Sequence, residues 1–495
     1  MLYVAKKFFQ SVKDNWAFAL FISLLAVYYI WRMFTFHIGV DESVTYYWSI
    51  HKGLIYSVAC WVAPNNHVLF SALSSILDMV IPGTVGLRGI SFLASVGTIA
   101  LLYILLKEVN NKTIALIGVL IYSVCRLPNE LAVQGRGYAM ASFFLMVAIY
   151  ASYKIIQEET YKKWCIIFAL SLWGGIYTVM TSIYWVIPIC ICVGVLLLLQ
   201  KQYGKLKKTV GWSVLAALFT FFCYSVIFFT MGASQLATDR YNLSEDIRIL
   251  LQKPLECYKE GFSFVYNGIS MYSPGRTGIS LLDVYTSFVR FSFPYSTTAI
   301  AIVIVICLIL CAYAFMKIYH EELNGQLWVY FVSVMGTLVV CIIPWVQGNI
   351  AFDRTFSFTA IFLVLCISSA GAVLFDIVKT RKVAVAGYIE LIIVISLCLG
   401  NCMMLTSSDY LVPYDSNADD IQDAIDHVDW ENVSSYSGFE YYVYYDKIVC
   451  DQLTLAYNEE CADILFVAKD EIDIANTQGM VAVYENDTYI VYQRL

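Results

Sequence analysis

Charged residues are scarce in this sequence. Only 14% of its 495 residues are Asp, Glu, Lys or Arg, whereas 60% are hydrophobic. A soluble domain of this length needs more charge to cover its surface. The composition therefore excludes an ordinary water-soluble protein and indicates one that is surrounded largely by lipid.

Closely spaced cysteine pairs are also absent. The chain has 15 Cys but no Cys-x-x-Cys pair, so we expect no structural zinc site. Most of the cysteines lie in or beside apolar segments, where a thiol acts as a small hydrophobic side chain. The N-terminus lacks a small-residue cleavage site before the first apolar run, which we therefore expect to be retained as a membrane span.

Long apolar segments occupy the first 405 residues. A membrane-spanning helix needs about 20 apolar residues, and eleven segments are predicted to span: 16–34, 88–106, 112–127, 138–156, 163–179, 182–200, 208–231, 296–318, 326–346, 355–377 and 383–402. A twelfth segment, 67–81, has about 15 residues and carries Asp78.

The lysine distribution predicts the topology. If 67–81 does not cross, every lysine-rich short loop falls on the side of the N-terminus, as the positive-inside rule requires for the cytoplasmic side. We therefore predict that 67–81 is a re-entrant or interfacial helix in the first outer loop. The protein is then a multi-pass plasma-membrane protein with a cytoplasmic N-terminus and an extracytoplasmic C-terminus.

The tail differs from the rest of the chain in charge. From Ser408 onward it holds 19 acidic residues and three basic ones. An amphipathic helix is predicted over 418–428, and strands over 441–445, 463–467 and a hairpin at 480–492. We therefore predict two domains, a transmembrane domain at 1–405 and a small acidic α+β extracytoplasmic domain at 406–495.

Two adjacent carboxylates follow the first span. Asp41 and Glu42 lie on the predicted outer side, where a carboxylate can take a proton from a hydroxyl group or bind a cation. An alternative is that Asp41 caps an interfacial helix and Glu42 stabilises its first turn.

A polar segment precedes the predicted interfacial helix. Asn65, Asn66 and His67 can donate hydrogen bonds to sugar hydroxyls or phosphate oxygens. They can also cap the helix that begins near His67, and the segment taken by itself favours this second interpretation.

Arginines recur on the predicted outer side, where topology does not require them. A guanidinium matches the geometry of phosphate, or anchors a helix end at the membrane surface. The anchor is favoured for Arg126, while Arg32 fits either role. The candidate ligands of a phosphate or sugar are Arg88, Arg136, the adjacent Tyr138, and Arg354 beside Asp353.

Glu390 is the carboxylate placed well inside a predicted span. Such a carboxylate is functional by default, but Lys382 lies eight residues earlier and offers a structural partner. We assign Glu390 no role in the site.

The order of these motifs resembles a known superfold. Asp41-Glu42, Asn65-Asn66-His67, Leu87-Arg88 and the Gln134–Ala139 loop follow one another within the first 160 residues. This order resembles the GT-C superfold, in particular the bacterial branch similar to protein O-mannosyltransferases and aminoarabinose transferases.

The resemblance implies an activity and a site. Members of this superfold transfer sugars from polyprenyl phosphates with inversion, and the acidic residue of the first loop is catalytic, here Asp41 with Glu42 beside it. Arg88 matches an active-site arginine, and Arg136 matches the arginine of the second loop, although relatives often differ at the preceding residue. A divalent metal is required in the oligosaccharyltransferase branch and generally not in this one, so no metal or other cofactor is expected.

These observations predict an inverting glycosyltransferase acting on the outer membrane face. Its partners would be a polyprenyl-phosphate-linked sugar, the lipid bilayer and an acceptor glycan, lipid or protein; nucleic acid is not expected. The alternatives are a surface-polysaccharide polymerase or ligase with a diphosphate-linked donor, a lipid or sugar transporter, and a non-catalytic scaffold. A transporter would be expected to place charges near the bilayer midplane, whereas the predicted spans carry few.

Overall fold

The computed structural model describes residues 13–61, 66–238, 243–271, 279–293, 297–319, 325–348, 353–381, 383–411, 417–438, 443, 454–455, 462–472 and 475–494. Helices dominate this part of the chain, and a small sheet lies near the C-terminus. The predicted helical membrane architecture with a small C-terminal sheet is confirmed.

The first half of the chain contains eleven described helices of 6 to 34 residues. They are α1 (Trp16–Thr35), α2 (Val40–Thr45), α3 (Leu54–Ala59), α4 (Val68–Asp78), α5 (Thr84–Val109), α6 (Lys112–Ser123), α7 (Arg126–Leu131), α8 (Tyr138–Gln157), α9 (Lys162–Thr178), α10 (Ile183–Leu199) and α11 (Tyr203–Leu236). One π-helical turn, Tyr46–Ile50, directly continues α2.

The second half of the chain contains ten more described helices. Its helices are α12 (Leu243–Gln252), α13 (Pro254–Met271), α14 (Leu281–Ser292), α15 (Thr297–Ile318), α16 (Gly325–Val339), α17 (Ile342–Gln347), α18 (Thr359–Arg381), α19 (Val383–Leu405), α20 (Ser408–Leu411) and α21 (Ala418–Asp426). Short 3-10 turns lie at Met180–Ser182, Asp353–Phe356 and Trp430–Asn432.

Nine helices among the described residues are long and apolar enough to cross a membrane. The predicted spans 112–127 and 163–179 are helices too, but α6 has 12 residues and α9 has 17. At 1.5 Å per residue α6 is about 18 Å long, less than the roughly 30 Å of a hydrocarbon core. The number of eleven spans stays a prediction.

Burial distinguishes the centre of the bundle from its edge. In the apolar stretch of α8, 72% of the residues are buried inside the protein, whereas in that of α19 only 6% are. Helix α8 therefore forms the centre, packed by α5 and α9, and α19 lies at the periphery. Trp185 and Trp328 are among the largest side chains fully enclosed in this core.

Helix α4 coincides with the ambiguous segment 67–81. Its 11 residues extend about 17 Å, too short to cross a bilayer. Its last residue, Asp78, accepts hydrogen bonds from the Tyr46 hydroxyl at 3.1 Å and from the Gly83 N–H at 2.9 Å. These bonds fix α4 against the first loop; its depth in the membrane stays a prediction.

The C-terminal sheet has five strands: β1 (Ser435–Ser437), β2 (Thr454–Leu455), β3 (Ile464–Ala468), β4 (Met480–Glu485) and β5 (Tyr489–Arg494). Their order is β2-β1-β3-β5-β4; β1 is parallel to β2 and β3, while β5 is antiparallel to β3 and β4.

The tail elements largely follow their sequence patterns. Helix α21 covers most of 418–428, β3 covers 464–467 of the predicted 463–467, and the hairpin at 480–492 is formed by β4 and β5. The strand predicted at 441–445 lies outside the described residues except for Val443. The domain boundary at 405/406 stays a prediction.

Candidate functional site

The two adjacent carboxylates point into different environments. Helix α2 begins after Gly39, so Asp41 and Glu42 both lie in its first turn, where the helix dipole favours negative charge. The Glu42 side chain is only 4% exposed, whereas that of Asp41 is 35% exposed. Adjacent residues on a helix point about 100° apart, which separates a buried acid from an accessible one.

Glu42 joins three segments of the chain. Its Oε1 and Oε2 atoms accept hydrogen bonds from Arg88 Nε and Nη2, each at 2.8 Å. Oε1 also accepts the Gly135 N–H at 2.6 Å, and Oε2 accepts the Gly39 N–H at 3.1 Å. The Glu42 carboxylate therefore accepts hydrogen bonds from α5, from the residue before α2 and from the loop between α7 and α8.

Arg88 is saturated as well. Its Nη1 donates to the Met33 and Phe36 carbonyls at 2.9 and 2.7 Å, and its Nη2 donates to the His37 carbonyl at 3.0 Å. With the two bonds to Glu42, each of its five N–H groups has a protein acceptor. The predicted roles of Glu42 in catalysis and Arg88 in phosphate binding stay predictions, and the geometry favours a structural role for both residues.

Asp41 lies between two other arginines. Arg354 Nη2 is 2.8 Å from Asp41 Oδ2, and Arg136 Nη2 is 3.9 Å from the same oxygen. Arg136 is fixed because its Nη1 donates to the Asp41 carbonyl at 3.1 Å and to Thr45 Oγ1 at 2.7 Å. One carboxylate facing two guanidinium groups leaves a net positive charge, which suits an anionic ligand.

His67 completes this group of residues as a neutral donor. Its Nδ1 accepts the Gly137 N–H at 2.7 Å, so the proton of the neutral ring must lie on Nε2. Burial, with Arg136 and Arg354 nearby, holds the pKa of His67 well below its usual range. Nε2 lies 3.5 Å from Arg136 Nη2. Two donors that close together can share one anionic oxygen.

Of the remaining candidate residues, some contact the Asp41–Arg136–Arg354–His67 group and others hold the backbone of a loop. Tyr138 packs edge-on against the His67 ring, with centroids 4.7 Å apart. Asp353 Oδ1 accepts the backbone N–H of Arg354 at 2.7 Å, which fixes the turn that presents that arginine. Asn66 donates to the Ser57 and Cys60 carbonyls and so closes its loop. Asn65 lies outside the described residues.

Two other arginines contact residues of α7. Arg32 is buried and donates to the Asn129 carbonyl at 3.0 Å. Arg126 forms an ion pair with Glu130 at 2.8 Å and is half exposed, as a helix anchor would be.

Several contacts of the site were not predicted from the sequence. Thr45 lies one helical turn after Asp41, and this i, i+4 spacing is the signal that would have placed it beside Arg136. Gly135 and Gly137 contribute backbone N–H groups to Glu42 and His67. Every residue except proline has such a group, so residue type does not predict this contact. His37 Nδ1 lies 2.7 Å from Asp419 Oδ1 and so connects the first loop to α21.

No cluster of three or more His, Cys, Asp or Glu suited to a metal occurs among the described residues. The expected independence from metal stays a prediction.

Comparisons with known proteins bear on the fold. The model of the family dolichyl-phosphate-mannose-protein mannosyltransferase matches residues 69–229, which include Arg88, Arg136 and Tyr138. No curated protein matches the sequence.

Solved structures match over nearly the whole chain. ArnT from Cupriavidus metallidurans bound to undecaprenyl phosphate is similar with a TM-score of 0.59 and 10% sequence identity, covering 97% of this chain and 98% of that one. ArnT in the apo state gives a TM-score of 0.57 and 9% identity, with 98% of each chain covered. The chain therefore shares the fold of these ArnT structures, and the resemblance to the GT-C superfold that the order of its motifs predicted is confirmed at the level of the fold.

Proposed function

We propose that this protein is an inverting glycosyltransferase that moves a sugar from a polyprenyl-phosphate donor to an acceptor hydroxyl on the outer face of the membrane. The observation that carries this proposal is the half-exposed Asp41 carboxylate facing Arg136 and Arg354, with the His67 Nε2–H group beside them. It sits in a fold shared with a protein that binds undecaprenyl phosphate.

The charges fit a monophosphate donor. A sugar linked to a lipid through one phosphate is a diester with a single negative charge. Asp41, Arg136 and Arg354 together carry one net positive charge, and neutral His67 adds a donor without adding charge. A diphosphate-linked donor would bring a second negative charge with no further cation among the described residues of this group.

The donor would release Asp41 for catalysis. Asp41 Oδ2 lies 2.8 Å from Arg354 Nη2 and neutralises it. A phosphate entering between the arginines takes over their N–H groups, because a guanidinium binds phosphate oxygens with charge-assisted hydrogen bonds. The Asp41 oxygen is then able to accept the hydrogen bond of an acceptor hydroxyl.

Transfer follows as one displacement. The acceptor oxygen attacks the anomeric carbon opposite the phosphate while Asp41 takes its proton. The anomeric C–O bond breaks, its electron pair stays on the departing phosphate, and Arg136, Arg354 and His67 stabilise the charge that grows there. A single displacement inverts the anomeric configuration.

The location of the site explains why the donor is lipid-linked. His37 follows α1 within two residues, so Asp41 lies directly beyond the end of a span. A polyprenyl phosphate holds its headgroup at this depth while its chain stays in hydrocarbon. The acceptor can be a glycan, a lipid or a protein hydroxyl.

The test is turnover by purified protein with defined donors. We expect transfer from polyprenyl-monophosphate sugar without nucleotide, with an inverted anomeric product. Asp41→Asn should lower the rate at least ~100-fold, the usual contribution of a general base, while Asp487→Asn in the exposed hairpin turn should not. Retention of configuration, or turnover with nucleotide sugar alone, would refute the mechanism; turnover with a diphosphate-linked donor alone would favour a polymerase or ligase.

A further inference from the structure

A pocket with charged residues in its lining lies at the end of α1 opposite to Asp41. It has a volume of about 330 Å³ and is lined by the start of α1, by α5, by α6 and by one face of α19. Because α1 has 20 residues, its ends are about 30 Å apart, the thickness of a hydrocarbon core. The pocket therefore lies one membrane thickness away from Asp41, at the other surface.

Glu390 enters this pocket from the most exposed span. Its neighbours Leu391 and Ile392 are 56% and 62% exposed, as side chains facing lipid would be. Lys382, the structural partner that the sequence offers to Glu390, lies outside the described residues. A carboxylate that lines an open pocket at the membrane surface can accept hydrogen bonds from a cationic ligand.

Lys112 lines the same pocket and carries the opposite charge. Its Nζ donates to the Asp14 carbonyl at 2.8 Å, which positions the ammonium and leaves N–H groups for a ligand. Tyr103 and Trp16 add aromatic surface, the side chains that proteins place at the level of lipid headgroups. The pocket thus combines a cation and an anion within a rim suited to the bilayer interface.

We propose that this pocket binds the headgroup of an aminophospholipid, with the primary ammonium on Glu390 and the phosphate on Lys112. A primary ammonium donates three hydrogen bonds to carboxylates, whereas a choline has no N–H group to donate. An anionic glycerol headgroup would present no cation to Glu390. The volume is far above the ~15 Å³ that one water requires by the same measure, so a headgroup fits.

The experiment measures lipid retention by the full-length protein, and it is independent of any transfer activity. Protein in detergent is titrated with phosphatidylethanolamine, phosphatidylcholine or phosphatidylglycerol of equal chain length, and bound lipid is counted by native mass spectrometry. We expect phosphatidylethanolamine to be retained about tenfold better than phosphatidylcholine, the value of one charge-assisted hydrogen bond.

Three variants test whether the preference for phosphatidylethanolamine arises in this pocket. Glu390→Gln should abolish the preference, Lys112→Gln should weaken retention of all three lipids, and Glu159→Gln in an exposed loop should change neither. Equal retention of the two zwitterionic lipids by the wild type would overturn the proposal, as would a preference that survives Glu390→Gln. Because the wild-type comparison stands alone, poor folding of a variant would not leave the proposal untested.

Discussion

At the scale of single residues, the environment separates two neighbouring acids. Glu42 is enclosed by four donors, whereas the Asp41 side chain is 35% exposed and its carboxylate lies between Arg136 and Arg354. Glu42 is positioned to hold the fold, and Asp41 is the carboxylate to which the proposed mechanism assigns the reaction. The sequence presents them as a pair, and burial decides which carboxylate is available.

Removing the charge of Glu42 should destabilise the fold. Glu42→Gln leaves Arg88 as a buried cation without its anion, which typically costs about 3–5 kcal/mol. Glu108→Gln is the matched control, because it breaks the more exposed pair with Lys154, worth about 1 kcal/mol or less. Thermal unfolding of the purified variants in detergent measures the difference. A loss of turnover at unchanged stability would instead give Glu42 a catalytic role.

Two isosteric variants divide the functions of His67. Asn keeps an acceptor near Nδ1 for the Gly137 N–H, and Gln keeps a donor near Nε2. We expect His67→Asn to fold normally and lose about tenfold to a hundredfold in kcat/KM for the donor, the value of a hydrogen bond to a charged group. His67→Gln should lose less. Full activity in the Asn variant would remove His67 from phosphate binding.

The depressed pKa of His67 predicts a pH dependence of stability. Below its ordinary pKa near 6.5, the unfolded chain takes up a proton on this ring while the folded protein does not. Unfolding is therefore favoured as the pH falls through about 6.5, at up to roughly 1.4 kcal/mol per pH unit. The difference in unfolding midpoint between wild type and His67→Gln should shrink from pH 7 to pH 5; a constant difference would contradict this assignment.

At the scale of elements, α4 and α5 meet so closely that a glycine is required. A Cβ atom on Gly86 would lie 2.7 Å from both Asp78 Cα and Cβ. Gly86→Ala should therefore separate α4 from α5 and cost about 1–3 kcal/mol, as overpacking does. Gly194→Ala in α10 is the control, since nothing lies within 4 Å of its Cβ position. Equal unfolding midpoints for the two variants would show that α4 is not held by this contact.

The sequence predicts helices and strands better than it predicts which side chains contact one another. Apolar length placed helices in all eleven predicted spans, and period-2 alternation predicted the β4–β5 hairpin, because both patterns are local. Arg88 and Arg136 both face the first loop, yet one binds Glu42 and the other flanks Asp41. Which arginine meets which carboxylate depends on the packing of α5 against the loop after α7. A local sequence pattern does not predict such packing.

At the scale of the whole molecule, the tail and the first loop form one unit. Apolar residues of both belong to a single buried cluster, including Ile38, Phe70, Ile421 and Val491. His37 and Asp419 add a polar contact at its edge. The C-terminal sheet therefore lies on the same side as Asp41, and one labelling experiment reports on both.

Membrane orientation is tested by that labelling. Cysteine introduced at Asn111 or Gly204 should resist an impermeant thiol reagent in intact cells, because lysine-rich loops favour the cytoplasm. Cysteine at Gln478, an exposed residue beside the hairpin, should react above the background of the native cysteines. The reverse pattern would place Asp41 on the cytoplasmic side and exclude an outer-face reaction.

The loop between α7 and α8 is held through its backbone. Gly135 and Gly137 donate their N–H groups to Glu42 and His67, and added Cβ atoms would collide with Leu87 and Thr178. Position 136 lies between these two bonds, which hold the loop backbone in addition to the bonds that the Arg136 side chain donates to the Asp41 carbonyl and to Thr45. An engineer could therefore vary the residue at position 136 to alter which donor headgroups are accepted, provided that both flanking glycines stay unchanged.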